Sequence, residues 1–164
     1  MPEVTVGKTG PLFNLDGTDG KPNSLQAALR KGPVLAVFFK VACPTCQYTL
    51  PFIERLYRQF ANKAIQIWGI SQDDVGASQR FAKEYNLTFP ILVDQNHYAT
   101  SRQYEVKYVP TMFLIKPDGQ VETRSEGFTK VDLLDIQKWL AHRLSAEPGE
   151  LFRPGETVPE HKPG

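Results

Sequence analysis

Two cysteines separated by two residues are the feature of this sequence with the clearest chemistry. The segment is Cys43-Pro44-Thr45-Cys46, which follows a run of apolar residues and precedes a region of helical periodicity. A thiol at the start of a helix faces unpaired backbone N–H groups and the positive end of the helix dipole, which stabilise a thiolate. The spacing therefore predicts a redox-active pair in which Cys43 is the nucleophile.

The neighbours of Cys43 have predicted roles of their own. Pro44 suits the first position of a helix because it has no N–H group to leave unsatisfied. Cys46 lies one turn further into the helix and is better shielded, so we predict that it is the resolving thiol. Lys40 precedes Cys43 by three residues and is a candidate for tuning the ionisation of that thiol, against the more common case of an exposed surface charge.

Two other interpretations compete with the redox pair, namely small buried thiols and half of a metal site. The chain has two cysteines and three histidines, and a structural zinc needs four ligands at regular spacing, so no metal site is predicted. Residues 16–20 and 73–74 are acidic turn and loop segments without the full calcium-loop pattern. The three histidines are interpreted as surface residues: His97, His142 and His161.

The composition is that of an ordinary globular protein. The chain has 164 residues, of which 41% are hydrophobic and 23% charged, and a formal net charge of +1. These values predict one domain without general electrostatic attraction to nucleic acid or anionic lipid. There is no apolar run of about 20 residues that would span a membrane. Residues 1–6 lack the features of a signal peptide, so we expect a cytoplasmic protein, although an exported or tethered protein with its leader removed would look identical.

Hydrophobic periodicity predicts alternating strands and helices around the cysteine pair. Residues 34–39 form a continuous apolar run that is typical of a central strand, and residues 45–62 have the spacing of an amphipathic helix. The alternation predicts parallel strands joined by right-handed crossovers. Further strands are predicted at 65–70, 89–93, 111–115 and 121–124, and further helices at 24–30, 75–86, 97–105 and 129–144.

Turn residues mark both ends of the predicted domain, which spans residues 1–145. Turn formers at 16–20 predict an N-terminal hairpin, and Thr129 with Asp132 predicts a capping box for the last helix. Residues 146–164 contain four prolines and three glycines, which exclude a helix or a central strand. We expect these residues to form a C-terminal tail that is extended or disordered in solvent, in preference to the alternative of a tail that docks on the body or on a partner.

Taken together, the motifs resemble the thioredoxin superfamily. The stretch VLAVFFKVACPTC at 34–46 is similar to the active-site strand and redox pair of that superfamily. Pro51 matches the proline of its active-site helix, and Val109-Pro110-Thr111 is similar to its cis-proline loop. The resemblance implies an α/β thioredoxin-like fold, with a central mixed β-sheet flanked by helices, an N-terminal β-hairpin extension and an inserted strand and helix.

The same resemblance implies the surroundings of the cysteine pair. The Val109–Pro110 peptide bond should be cis, and Pro110 should lie beside Cys43. The backbone next to Pro110 would pair with a substrate strand. The implied substrate-binding residues are Val109, Pro110, Pro44 and Thr45.

Residues 10–145 resemble redoxin domains, which include the AhpC/TSA-type peroxiredoxins and the TlpA/ResA-like thiol-disulfide oxidoreductases. Peroxiredoxins share a Pro-x-x-x-Thr/Ser-x-x-Cys pattern, in which the hydroxyl and the loop hold peroxide against the thiolate. The pattern puts Thr or Ser three residues before the cysteine and Pro seven residues before it. For Cys46 these positions hold Cys43 and Phe39, and for Cys43 they hold Lys40 and Ala36. Neither frame fits the pattern, so the resemblance favours dithiol exchange first and peroxide reduction second.

Two positions depart from the oxidoreductase pattern. The residue before the first cysteine is usually Trp but here is Ala42, and the buried acid common in thioredoxins falls on Val37. The proton acceptor for Cys46 is therefore not identified. Helix geometry makes Glu54 a weak candidate, and we expect its side chain on a solvated helix face.

The reaction implied is attack of Cys43 on a disulfide, followed by resolution of the mixed disulfide by Cys46. The expected partners are protein or low-molecular-weight disulfides and an electron donor that the sequence does not identify. No metal, organic cofactor, nucleic acid or membrane span is predicted. A redox-inert binding module that keeps the fold is the third interpretation, after exchange and peroxide reduction.

Overall fold

A five-stranded mixed β-sheet forms the centre of the structure, a computed structural model that describes residues 4–164. Residues 1–3, part of the segment considered above for a signal peptide, lie outside the described residues. The strands are β1 (Asn14–Asp16), β2 (Pro22–Ser24), β3 (Val34–Phe39), β4 (Gln66–Ser71), β5 (Ile91–Val93), β6 (Thr111–Ile115), β7 (Val121–Glu126), β8 (Phe128–Thr129) and β9 (His161–Lys162). The helices are α1 (Leu25–Leu29), α2 (Pro44–Gln59), α3 (Val75–Glu84), α4 (Ala99–Gln103) and α5 (Lys130–Arg143).

The strand order β5-β4-β3-β6-β7 places β3 in the middle of the sheet, as its apolar run predicts. β3 runs parallel to β4 and antiparallel to β6, with β4 and β5 parallel at one side and β6 and β7 antiparallel at the other. The sheet is therefore mixed, and the predicted thioredoxin-like α/β architecture is confirmed.

Alternate residues of β3 point to opposite faces of the sheet because a strand has a two-residue period. Leu35, Val37 and Phe39 pack in one hydrophobic cluster with the buried sides of α2, α3 and α5. Val34, Ala36 and Phe38 pack in a second cluster with α1 and with Tyr104 at the end of α4. Both faces of the central strand are thus fully buried between helices.

The N-terminal hairpin and the first helix follow the prediction. β1 and β2 pair antiparallel around the turn at 17–21. Ser24 caps α1 by accepting a hydrogen bond from the Ala27 N–H at 3.2 Å. The predicted helix at 24–30 and hairpin at 16–20 are therefore confirmed, with the helix one residue shorter at each end.

The predicted capping box at the start of α5 is wrong. Thr129 is the residue before the helix, but its hydroxyl lies 3.4 Å from His161 Nδ1. Asp132 instead accepts a hydrogen bond of 2.6 Å from the Ser125 hydroxyl. Both side chains are engaged by partners distant from the cap, which sequence spacing alone does not reveal.

Residues 146–164 are extended and mostly exposed, as expected, but the expectation of a solvated tail is wrong at Leu151 and Phe152, which pack against the domain. Leu151 is 2% exposed and belongs to the hydrophobic cluster of α2 and α5, and the Phe152 ring lies 5.1 Å from that of Phe52. Further on, β9 pairs antiparallel with β8. Proline and glycine exclude a helix here, but an extended segment with two apolar side chains can still cover an apolar surface.

Within residues 4–164, no helix is both long enough and apolar enough to cross a membrane.

Candidate active site

The cysteine pair lies where β3 leaves the sheet and α2 begins. Cys43 has extended backbone and is the residue before the helix, and Pro44 occupies the first turn. The Cys46 N–H donates to Cys43 Sγ at 3.2 Å. The thiol of Cys43 therefore takes the place of a capping side chain and accepts a hydrogen bond from the first turn of the helix.

Side chains from two other segments hold the loop between β3 and Cys43. The Val41 N–H donates to Asp73 Oδ2 at 2.8 Å, and Gln47 Nε2 donates to the Val41 carbonyl at 2.9 Å. Asp73 was interpreted from sequence as a loop residue, and its place beside the active-site loop was missed. The signal was available, because the carboxyl ends of the parallel strands β3 and β4 meet at the same edge of the sheet.

The two thiols lie in different environments. Both are free cysteines, but Cys43 is half-buried while Cys46 is completely buried. Burial raises the pKa of Cys46 well above its usual range, and the hydrogen bond with Cys43 and the negative charge of Asp73 raise it further. Cys46 therefore stays protonated at neutral pH, which leaves Cys43 as the accessible thiol of the pair.

The cis-proline loop lies against Cys43, as the resemblance implies. The Val109–Pro110 bond is cis, and the Cys43 thiol donates to the Val109 carbonyl at 3.4 Å. The predicted isomer and the predicted closeness of this loop to Cys43 are both confirmed. Pro110 itself is buried, whereas Val109 is partly accessible.

The remaining predicted site residues differ in accessibility. Pro44 is exposed next to Cys43, while Thr45 is 8% exposed and its hydroxyl donates to the Pro163 carbonyl at 2.6 Å. Lys40 has an exposed side chain, and its carbonyl accepts from the Cys43 N–H at 3.3 Å. Pro51 lies inside α2, as predicted. The contact between Thr45 and residue 163 was not foreseen, because nothing in the local sequence links them.

Glu54 does not lie on a solvated helix face, so that expectation is wrong. Its carboxylate is buried and accepts hydrogen bonds from Arg58 Nε, the Thr88 N–H, the Thr88 hydroxyl and the Phe89 N–H, at 2.6 to 3.3 Å. A rise of about 1.5 Å per residue puts Glu54 about 12 Å along the helix from Cys46. Glu54 thus holds the loop before β5 to α2 and is too far away to accept the proton of Cys46.

Ligand clusters of the kind that hold a metal ion, with three or more His, Cys, Asp or Glu side chains together, are absent from the described part of the chain. His97, His142 and His161 are all exposed, in agreement with their interpretation as surface residues.

Comparisons with known proteins agree with this geometry. A model of the AhpC/TSA family matches residues 6–124. The thiol-disulfide oxidoreductase ResA of Bacillus thuringiensis is 30% identical over 126 residues, which cover 76% of this chain and 72% of the relative. Both the family and the oxidoreductase relative thus match the part of the chain that carries the cysteine pair.

Solved structures resemble the chain over most of its length. A putative thiol:disulfide interchange protein DsbE from Chlorobium tepidum has a TM-score of 0.76 and 24% identity, covering 87% of this chain and 99% of that chain. The peroxidoxin BcpB from Mycobacterium tuberculosis has a TM-score of 0.70 and 26% identity, covering 82% and 94% of the two chains. The likeness to the DsbE protein shows a shared fold. The name of BcpB, a peroxidoxin, refers to peroxide chemistry.

Proposed function

The chain belongs to the AhpC/TSA family, within the redoxin branch of the thioredoxin-like superfamily, and we propose that Cys43 attacks and Cys46 resolves in its reaction. The oxidoreductase relatives and the cysteine pair make it a thiol-disulfide oxidoreductase. The observation that carries the assignment of roles is the contrast between the half-buried Cys43 at the helix start and the completely buried Cys46.

In the first step, the Cys43 thiolate attacks one sulfur of a disulfide R–S–S–R. A bond forms between Cys43 Sγ and that sulfur, the S–S bond of the substrate breaks, and RS⁻ leaves. The Cys46 N–H, 3.2 Å from Cys43 Sγ, supports this step because it donates a hydrogen bond to the thiolate. The product is a mixed disulfide on Cys43.

In the second step, Cys46 attacks Cys43 Sγ, and its proton passes to a thiolate released from the substrate. The mixed disulfide breaks, a second thiolate leaves and a Cys43–Cys46 disulfide forms, so the protein loses two electrons and the substrate becomes two thiols. The raised pKa of Cys46 leaves the buried thiol with little thiolate in the free protein, so this step depends on the loss of its proton.

The partners of the enzyme are proteins that carry thiols or disulfides. We propose that Pro44, Thr45, Val109 and Pro110 form the substrate-binding region, in which Pro44 is exposed and Val109 is partly accessible beside the Cys43 thiol, while Thr45 and Pro110 are buried. Low-molecular-weight disulfides are proposed as further substrates, and a separate dithiol would reduce the Cys43–Cys46 disulfide. A cytoplasmic location stays a prediction, which cell fractionation would test.

The experiment that tests this proposal compares two oxidants. The fully reduced protein is mixed with glutathione disulfide or with hydrogen peroxide, and the loss of thiols is followed over time, with Cys43→Ser as the control. We expect fast, Cys43-dependent reaction with the disulfide and slow reaction with peroxide. Peroxide reaction far faster than that of a free cysteine would instead support the peroxidase alternative, and slow reaction with both would support a redox-inert binding module.

A further inference from the structure

Residues 160–164, which we call the strap, lie across the residues that flank Cys43. At its first end, the Lys130 N–H donates to the Glu160 carbonyl at 2.9 Å, and β9 pairs with β8. At its other end, the Thr45 hydroxyl donates to the Pro163 carbonyl at 2.6 Å. The strap thus connects the start of α5 with the first turn of α2, where Thr45 is two residues from Cys43.

Two glycines show how closely the strap approaches the cis-proline loop. A Cβ atom on Gly164 would collide with the Val109 carbonyl oxygen, and one on Gly127 would lie 2.5 Å from the Lys162 carbonyl oxygen. The Gly127 N–H also donates to the Pro110 carbonyl at 2.7 Å. The strap backbone therefore touches the loop whose Val109 carbonyl accepts a hydrogen bond from Cys43.

A substrate peptide would need the space that the strap fills. A disulfide in an extended protein segment brings main chain on both sides of its sulfur, and Thr45 and Val109 belong to the region proposed above to bind it. The strap already contacts both, through Pro163 and Gly164. A second route to the Cys43 thiol does not cross the strap, because Ala42 and Pro44, the residues before and after Cys43, are exposed.

Resting on the exchange reaction proposed above, we propose that the strap discriminates between two classes of disulfide. Low-molecular-weight disulfides reach Cys43 past Ala42 and Pro44 while the strap is in place. Extended protein substrates react after the strap has left the surface formed by Thr45 and Val109. The strap is therefore a specificity-determining segment for the exchange reaction.

The contacts of the strap allow it to detach without the rest of the tail. Residues 151–156 are held separately by burial of Leu151 and by the Arg55–Glu156 ion pair, whose closest atoms are 2.7 Å apart. The strap itself is held by a two-residue strand, a few hydrogen bonds, a Lys130–Glu160 ion pair at 4.0 Å and the Lys162 ammonium 5.0 Å from the centre of the Tyr48 ring. Its side chains are exposed apart from that of Lys162. These bonds act against the entropy of ordering five residues, so detachment is within reach of a binding substrate.

Two variants test the proposal. One lacks residues 160–164, and the other is Gly127→Ala in the full chain, whose added Cβ would collide with the Lys162 carbonyl. The matched control is Gly20→Ala, because Gly20 has a similar positive φ of 81° against 72° for Gly127 but nothing within 4 Å of the added Cβ. Each reduced protein is mixed in a single turnover with insulin, as a protein disulfide, or with glutathione disulfide, and circular dichroism checks folding.

The rate with an extended substrate scales with the fraction of molecules whose strap is detached. We expect both strap variants to react with insulin faster by about fivefold or more, with glutathione disulfide rates within about twofold of the original protein. Gly20→Ala should change neither rate. If the variants gain equally with both disulfides, or gain with neither, the proposal is overturned.

If the deletion variant does not fold, Gly127→Ala against Gly20→Ala decides the question alone. A failure of the proposed function has a different result, because the original protein and every variant would then fail to react with either disulfide.

Discussion

The two ends of α2 place polar groups in contrasting environments. At the start of the helix, Cys43 is half-buried and its sulfur accepts a hydrogen bond from the Cys46 N–H. Two turns beyond Cys46, Glu54 is 6% exposed and accepts four hydrogen bonds from Arg58, Thr88 and Phe89. The first end keeps a reactive atom accessible, whereas the second uses a carboxylate to hold a loop in place. Along α2, the residues that react with substrate are therefore separate from the residues that stabilise the fold.

The strongest test of this contrast is Cys43→Ser. A serine hydroxyl at this position is a far weaker nucleophile than a thiolate, so disulfide exchange should fall by at least about 10³-fold. The measurement is the rate of thiol loss when the reduced protein meets glutathione disulfide. The free energy of unfolding of Cys43→Ser should stay within about 1 kcal/mol of that of the original protein, because the substitution removes no buried carbon atom. Residual exchange above about a tenth of the original rate would contradict the role of Cys43.

At the other end of the helix, Glu54→Gln should affect stability and not exchange. The amide keeps the shape but loses charge-assisted hydrogen bonds from Arg58 and the backbone at Thr88, so we expect a loss of about 1–3 kcal/mol in the free energy of unfolding. Urea denaturation measures this loss. Glu84→Gln, an exposed acid on α3, is the control and should stay within about 0.5 kcal/mol.

The exchange rate is the sharper half of the Glu54 test. A decrease of more than about tenfold in resolution of the mixed disulfide by folded Glu54→Gln would show that the carboxylate acts on Cys46 after all. In that case the separation of the two ends of α2 would be wrong.

Next to Glu54 on α2, Arg55 holds the tail through its ion pair with Glu156, and this contact should respond to pH. The Arg55 guanidinium, with the Arg153 N–H, lowers the pKa of Glu156 from 4.5 to about 2. Because the pKa is lower in the folded state, the stabilising effect is present above about pH 4.5 and is lost as pH falls towards 2. The exposed position of Glu156 keeps the effect small.

The measurement is the difference in melting temperature between the original protein and Glu156→Gln at several pH values. The original protein should melt higher at pH 6, and the difference should disappear between about pH 4.5 and pH 2. A difference that stayed constant over this range would exclude the Arg55–Glu156 ion pair as its cause.

The smallest expected effect is that of Lys40→Ala. The Lys40 side chain is exposed, and an exposed charge is screened by water and salt. The rate at which Cys43 is alkylated should therefore change by less than about threefold. Stopped-flow alkylation of the reduced protein by iodoacetamide across pH 5 to pH 9 provides the readout. A displaced pH profile for Cys43 in Lys40→Ala would restore Lys40 as a residue that tunes this thiol.

Much of the site near Cys43 could be predicted because its determinants are local. The apolar run of β3, the two-residue spacing of the cysteines and Pro44 at the first turn predict a strand, a loop and a helix that begins at the thiol pair. The cis-proline loop is distant in sequence, and it was identified through its resemblance to known loops and not from periodicity. Its position beside Cys43 is confirmed by the 3.4 Å contact with Val109.

The residues that were misjudged depend on contacts between distant parts of the chain. Glu54 was expected on a solvated face because its local spacing does not indicate Thr88. That residue lies 34 positions away in the sequence and donates two hydrogen bonds to the Glu54 carboxylate. The prolines and glycines predict a solvated tail, but they do not indicate the contact with Thr45. The Thr45 hydroxyl donates to the Pro163 carbonyl, which lies 118 residues away in the sequence. The spacing of residues along the sequence indicates whether a segment prefers helix or strand. The contacts of Glu54 and of the tail depend instead on which surfaces come together in the folded protein.

The central claim, that Cys43 attacks and Cys46 resolves, is tested most directly by trapping with Cys46→Ser. The reduced variant is incubated with glutathione disulfide, and intact-protein and peptide mass spectrometry locate the product. We predict one glutathione on Cys43 that persists, while the original protein passes through this adduct to a Cys43–Cys46 disulfide. A persistent adduct on Cys46 in Cys43→Ser, with none on Cys43 in Cys46→Ser, would reverse the two roles and contradict the account.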